Sequence, residues 1–252
     1  MSKLPTERFS DRVDNYVRYR PGYPPKILEM LCHECGLRRD HVIAEIASGT
    51  GIFTRLLLEN GNPVIAVEPN AEMRAASSHL QQLFSNLKLM HGTAEETGLS
   101  AASVDFIMAA QAAHWFDPQK TREEFKRILK PEGWCVLIWN ERRTSGNPFL
   151  EEYENLLQTY CPEYKDKRHG KTSRIAHAFF PEGYRERVFR NNQQFDFAGL
   201  TGRLLSSSYC PLEDHPNYGP MMQELGRIFR AYAVSDKVQF DYDTHVYFSR
   251  LS

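Results

Sequence analysis

With 252 residues, 41% of them apolar, the chain is long enough for one α/β domain with a sizeable insertion and too apolar to be disordered. A net charge of −1 excludes the broad basic field that nucleic-acid binding uses, and no apolar run approaches the ~18 residues of a membrane span. Five cysteines at irregular spacing suit reduced thiols, and Met1–Arg20 lacks the apolar run of a signal peptide, so a cytoplasmic protein with no membrane partner is expected.

Residues 1–8 read as a loose tail. From Phe9 to Pro25, Phe9, Tyr16, Tyr19 and Tyr23 are interleaved with Arg12, Arg18 and Arg20, and the run ends in two proline-containing turns. Two readings stand: an arm laid across the core with its tyrosines as packing, or a lid in which Tyr16 and Arg20 face a bound cofactor. Ile27, Met30 and Leu31 then fall at helical spacing behind Pro24 and Pro25. Cys32-His33-Glu34-Cys35 is a CxxC with no second Cys/His pair at zinc spacing and no thioredoxin-like setting. It reads as a helix end with two incidental cysteines, and no metal is expected.

From Val42 strands and helices alternate regularly. A strand at 42–47 leads to a helix at about 51–59, capped by Asn60-Gly61. Val64–Val67 is a second strand, ending in Glu68-Pro69-Asn70, and a helix follows at about 71–83. Leu87–Met90 is a third strand, ending in His91-Gly92-Thr93-Ala94-Glu95. Val104–Ala109 is a fourth, followed by Ala110 to Phe116, and Asp117-Pro118 starts a helix. Lys130–Gly133 is a turn and Trp134–Trp139 a fifth strand. This rhythm predicts a parallel sheet covered on both faces. After Asn140 it breaks. Pro148–Tyr160 and Met221–Tyr232 read as helices, Arg185–Phe197 as a strand, and Lys237–Tyr242 and His245–Ser249 as two closing strands. The long material between them suggests a cap.

The chemistry centres on Glu45-Ile-Ala-Ser-Gly-Thr-Gly51. Gly49 and Gly51 let backbone N–H groups approach a ligand, and the following helix points its positive end at the same place. Glu68, at the end of the second strand, is positioned to accept both ribose hydroxyls of a nucleoside. A dinucleotide fingerprint would need a third glycine, and Thr54 stands there. Glu45 would repel a pyrophosphate but suits a cation. S-adenosylmethionine, with a sulfonium, an ammonium and no phosphate, fits that charge pattern.

On these residues, with Ala66-Val-Glu-Pro-Asn70, Met73, Gly92-Thr-Ala-Glu95, Ala112-Ala-His-Trp-Phe116 and Leu129-Lys-Pro-Glu-Gly133, the chain resembles a class I S-adenosylmethionine-dependent methyltransferase of the small-molecule type. It is similar in particular to the trans-aconitate methyltransferase group, whose N-terminal arm Phe9-Ser-Asp, Tyr16 and Tyr19–Pro24 resemble. The resemblance implies an α/β, Rossmann-like doubly wound, mostly parallel seven-stranded sheet with helices on both faces and a helical cap after the fifth strand. One domain over 1–252 is expected: arm and first helix at 9–36, cofactor core at 37–140, cap with one sheet strand at 141–236, closing strands at 237–252. By resemblance, Glu45, Ala47, Gly49 and Gly51 line the methionine and ribose side, and Pro69 and Met73 border the adenine. Thr93, Ala94 and Glu95 sit at its edge, and Ala110 and Gln111 face the sulfonium. Ala47 departs from the usual first glycine, and Thr93 from the usual acidic residue.

His114 and Trp115 follow the fourth strand, where an acceptor would lie. His114 either takes a proton from the acceptor or only hydrogen-bonds within its loop, while Trp115 packs beneath the cap. The strand end Ala109-Ala-Gln-Ala lacks the signature of base-amino methylation, so a small acceptor is expected rather than nucleic acid. By resemblance its leading candidate is a carboxylate oxygen. Arg142, Arg143 and Arg174 either grip an acidic acceptor or are simply solvated. The product would be S-adenosylhomocysteine and the protein a monomer or homodimer. The alternatives are an N- or O-methyltransferase of a non-acidic molecule, a non-catalytic cofactor-binding protein and, more remotely, a nicotinamide oxidoreductase.

Overall fold

The structure, a computed structural model, describes residues 18–167 and 172–251, so the readings placed on Phe9, Arg12 and Tyr16 lie outside the described residues. In chain order the elements are α1 (Lys26–Cys35), β1 (Ile43–Ile46), α2 (Ile52–Glu59), β2 (Val64–Val67), α3 (Ala71–Ser77), α4 (His79–Leu83), β3 (Leu87–Met90) and β4 (Val104–Ala110). A 3-10 turn at Ala113–Trp115 leads into α5 (Pro118–Ile128) and β5 (Leu129–Arg142). Then come α6 (Pro148–Tyr160), a 3-10 turn at Pro162–Lys167, α7 (Thr172–Phe179), β6 (Arg185–Phe195), α8 (Phe197–Leu205), α9 (Tyr218–Tyr232) and β7 (Val238–Ser249).

The sheet order is β3-β2-β1-β4-β5-β7-β6. β1 to β5 pair in parallel, and β7 pairs antiparallel with both β5 and β6, so β7 alone runs against the rest. This is the Rossmann-like, mostly parallel arrangement the resemblance implies, and its parallel part is the one the alternation predicts. Burial on both faces explains why the central strands are short apolar runs: all four positions of β1 are buried. Ile43, Phe106 and Val136 face α1 and α2, whereas Ala44, Ile107 and Leu137 face α5 and α7. A third apolar cluster fills the cap, where α6, α8 and α9 meet Phe195, Val238, Phe240 and Tyr242 of the outer strands.

Four expectations are corrected. Lys130–Gly133 is not a turn ahead of the fifth strand but lies within β5, where the pairing with β4 shifts register between Leu129 and Trp134. The two closing strands are one, because Asp243 and Thr244 keep pairing with Glu141 and Asn140. Thr244 is polar yet buried, its hydroxyl donating to Asn140 Oδ1 at 2.5 Å, so the inward face is unbroken. The helix expected at 71–83 is divided at Ser78, whose hydroxyl donates to Ala75 O at 2.7 Å and competes with the helical ladder. The strand expected to reach Phe197 stops at Phe195, because Asp196 caps α8 by accepting from Gly199 N at 2.7 Å.

Candidate active site

The chain goes from β1 outward to β2 and β3, then returns to β4 on the other side of β1. The carboxyl ends of β1 and β4 are therefore the topological switch point, where open α/β sheets bind ligands. A cleft opens there. Glu45, Ala47, Ser48, Gly49 and Thr50 form one wall, Ala110, Gln111 and Asn140 another, and Arg20, Pro21 and Tyr23 the roof.

Both strand ends leave through strained backbone. Ala47 has φ 54° and Gln111 φ 58°, in the left-handed region that costs a non-glycine residue about 1–2 kcal/mol. Ala47 therefore lies just past β1, in a conformation that prefers glycine, rather than in the strand as its sequence context suggests. Gln111 is held by its N–H donating to Ile138 O and its Nε2 donating to Asn140 O, both at 2.8 Å. Such strain gathers where surrounding structure must hold a site open.

Glu45 is buried at the cleft wall and accepts from Thr54 Oγ1 at 2.5 Å. The residue in the third-glycine position thus serves as a hydroxyl donor to the acidic group. Burial pushes the Glu45 carboxyl up to about 8; the Thr54 hydrogen bond opposes this and Glu68 adds to it. Glu68 is buried too. Its Oε2 accepts from Gly49 N at 2.9 Å and its Oε1 from Asn70 N at 2.8 Å, tying the glycine turn to the end of β2. Burial raises its carboxyl, against the two backbone donors and Arg74.

Two observations test whether a cofactor fits. The buried hydroxyls Ser48 Oγ and Thr50 Oγ1, both in the wall, have no hydrogen-bond partner among the described residues. At Gly49 (φ 58°) an added Cβ would meet nothing, so the turn presents bare backbone to open space. Unsatisfied donors beside an open glycine turn fit a polar nucleoside ligand. Gly51 has a different job: a Cβ there would stand 2.7 Å from Leu80 Cδ1, so its absence lets α4 pack on the turn.

Of the residues expected at the site, Arg20, Glu45, Ala47, Gly49, Ala110 and Gln111 converge on the cleft. Glu68 reaches it through Gly49, and Met73 N–H donates to Asn70 Oδ1 in the first turn of α3, with Pro69 just before. Thr93 and Ala94 lie beyond β3, Ala94 buried in the core. Glu95 Oε1 accepts from Asp117 N at 2.9 Å and so braces the start of α5. His114 and Trp115 are exposed on the 3-10 turn, their rings 4.7 Å apart, outside the cleft lining. Arg174 is exposed and Arg143 pairs with Asp243 at 3.7 Å. Arg142 is neither solvated nor open to the cleft: it is buried in an ion pair with Glu154.

Asn140 escaped the sequence reading, although a polar residue ending the apolar run of β5 is the same signal that singles out Glu45. Its Nδ2 donates to Gly22 O at 3.1 Å, and its Oδ1 accepts from Asn191 Nδ2 and Thr244 Oγ1. The arm is pinned elsewhere by Tyr23, edge-on to Phe53 at 4.9 Å, and by Arg20, donating to Ser206 O at 2.8 Å. Packing arm and cleft roof are thus one structure.

Residues 44–137 match the model of the methyltransferase domain. The chain is 37% identical over 134 residues to an uncharacterised methyltransferase of Mycobacterium tuberculosis, a match covering 53% of this chain and 52% of that protein. The matched part thus spans about half the length of the mycobacterial relative. An uncharacterised methyltransferase of Schizosaccharomyces pombe is 27% identical over 245 residues, 96% of each chain. Among solved structures, a putative type II methyltransferase from Anaeromyxobacter dehalogenans shares the fold at TM-score 0.71 and 19% identity, covering 92% of this chain and 98% of that one. A Haemonchus contortus phosphoethanolamine N-methyltransferase, solved with S-adenosylhomocysteine, shares it at TM-score 0.56 and 13% identity, covering 96% and 57%.

Proposed function

We propose that this protein is an S-adenosylmethionine-dependent methyltransferase acting on a small acceptor, with a carboxylate oxygen as the leading target. The observation that carries the reading is the buried carboxyl of Glu45 beside an open glycine turn with unsatisfied hydroxyls. A site of this kind favours a cationic, hydroxyl-rich ligand, whose charge would draw the Glu45 carboxyl into its ionised form. The cofactor supplies a methyl group activated on a sulfonium. Ser48, Thr50 and the Gly49 backbone would bind its polar groups, Glu45 its positive end, and Glu68 the ribose hydroxyls.

The remaining work of the chain is positional. Methyl transfer to an oxygen anion needs no proton removed, so alignment and exclusion of water dominate. Gln111 and Asn140 fix the far wall and the arm covers the top. His114 would serve as a base for a protonated acceptor after the 3-10 turn moved toward the cleft. Calorimetry with S-adenosylmethionine, S-adenosylhomocysteine and a nicotinamide dinucleotide tests the reading. Binding of the first two is expected; nicotinamide binding with neither of them would overturn it.

A further inference from the structure

The cap holds two buried arginines, and they are not equivalent. Arg142, on β5, forms an ion pair with Glu154 and donates from Nη2 to the Tyr164 hydroxyl oxygen at 3.0 Å, while Glu154 also accepts from Tyr164 and Gln158. That carboxylate is fully engaged. Arg203, in the last turn of α8, is 7% exposed, and no acidic side chain among the described residues pairs with it. Its Nε donates to Tyr242 OH at 3.2 Å and its Nη1 to Ser207 Oγ at 3.2 Å and Ser206 Oγ at 3.5 Å. The face of Phe240 lies 5.9 Å away. Hydroxyls satisfy N–H groups but leave the charge uncompensated, and buried charges are ordinarily paired. The carboxyl-terminal end of α8 offsets only part of that charge.

A second cation converges on the same corner. Arg20, in the cleft roof, donates to the carbonyl of Ser206, whose hydroxyl faces Arg203. The arm also covers the spot: the Tyr19 ring lies where a Cβ of Gly202 would stand. In this hydroxyl-lined corner under the arm, next to the cofactor cleft, no carboxylate among the described residues faces Arg203. The geometry points to Arg203 as the anchor for an oxyanion of the methyl acceptor, a carboxylate or a phosphate, taken in beneath the arm. The planar guanidinium offers both oxygens a fork of donors. This inference rests on the methyltransferase reading and adds to it the residue that selects an anionic acceptor.

The test uses the full chain at matched ionic strength. S-adenosylhomocysteine is titrated first, then citrate and, separately, inorganic phosphate into the cofactor-loaded protein. At least one anion is expected to bind, and which one identifies the acidic group. Arg203→Met should weaken that binding by about 30-fold or more, with S-adenosylhomocysteine affinity unchanged. Should that variant fail to fold, Arg203→Lys carries the test: it keeps the charge and loses the fork, so about 3–10-fold weaker binding is expected. Equal anion affinity in the variant, or no anion bound below about 10 mM by the wild type, would overturn the inference. Failure of S-adenosylhomocysteine to bind would sink the methyltransferase reading instead, and the anion titrations on the unloaded protein would still report on Arg203.

Discussion

Burial of Glu45 makes its protonation state depend on the ligand. With the carboxyl pushed up to about 8, the unliganded native state holds a proton near neutrality that the unfolded chain, titrating as an ordinary glutamate, has released. The native protein therefore binds more protons than the unfolded chain between the two values. Stability from this group is full below the unfolded pKa and is lost as pH rises through about 8. A cation beside Glu45 would favour the ionised form, so cofactor binding should release a proton and tighten as pH rises toward 8. Calorimetry in buffers of differing ionisation enthalpy measures that release directly. In Glu45→Gln, whose amide still accepts from Thr54, the release should vanish and the pH slope of stability should lose the part this group contributes; a release that persisted would assign the proton elsewhere. Glu45 was legible from its place at a strand end. Its partner was not: Thr54 registers in the sequence only as a missing glycine, and a hydroxyl that reaches back one helical turn to a strand becomes visible only once the two are packed. Ala47 carries the same lesson, since a left-handed residue and an extended one look alike in a sequence when the side chain is a methyl.

At the scale of elements, alternating apolar runs revealed the five parallel strands because burial on both faces demands such runs. The outer part was harder to read. β6 is an edge strand whose residues are mostly exposed, and α7 and α8 are short helices whose place is set by tertiary contact more than by periodicity. The arm was legible as an aromatic and basic stretch, and among its described residues Tyr19 and Tyr23 serve packing while Arg20 and Tyr23 line the cleft. Gly202 is the hinge of that arrangement. Any side chain there must displace Tyr19, so Gly202→Ala is expected to cost about 1–3 kcal/mol of stability from overpacking. The loosened arm should also raise the dissociation constant for S-adenosylhomocysteine, and proteolytic cleavage near residues 18–23 should speed up. Unaltered cofactor affinity with a loosened arm would show that the roof contributes nothing to binding.

Over the whole molecule, β7 decides whether the cap is a separate unit. Its Val246 and Phe248 belong to the core beneath α1 and α2, whereas Val238, Phe240 and Tyr242 belong to the cap cluster. One continuous strand thus crosses two apolar cores, and β5 does the same less fully, through Ile138 on the sheet side and Arg142 on the cap side. The sequence reading divided the end of the chain into two strands and so missed this link. A shared strand couples the cores, because opening the cap would strip β7 of half its buried face. The Arg142–Glu154 pair is the place to test it, lying far from the glycine turn in sequence and buried on both sides. Burial works against the Glu154 carboxylate, but hydrogen bonds from Tyr164, Gln158 and Arg142 outweigh it and hold its pKa below the usual range. Glu154→Gln would leave the Arg142 charge buried without a counter-ion, at a cost of about 3–5 kcal/mol. If the cap and sheet share one cooperative unit, urea unfolding of this variant shifts to lower midpoint as a single transition, seen alike by tyrosine fluorescence and by far-ultraviolet circular dichroism. Two separated transitions, the first confined to the cap, would show instead that the cap folds on its own and that β7 is a tether rather than a common spine.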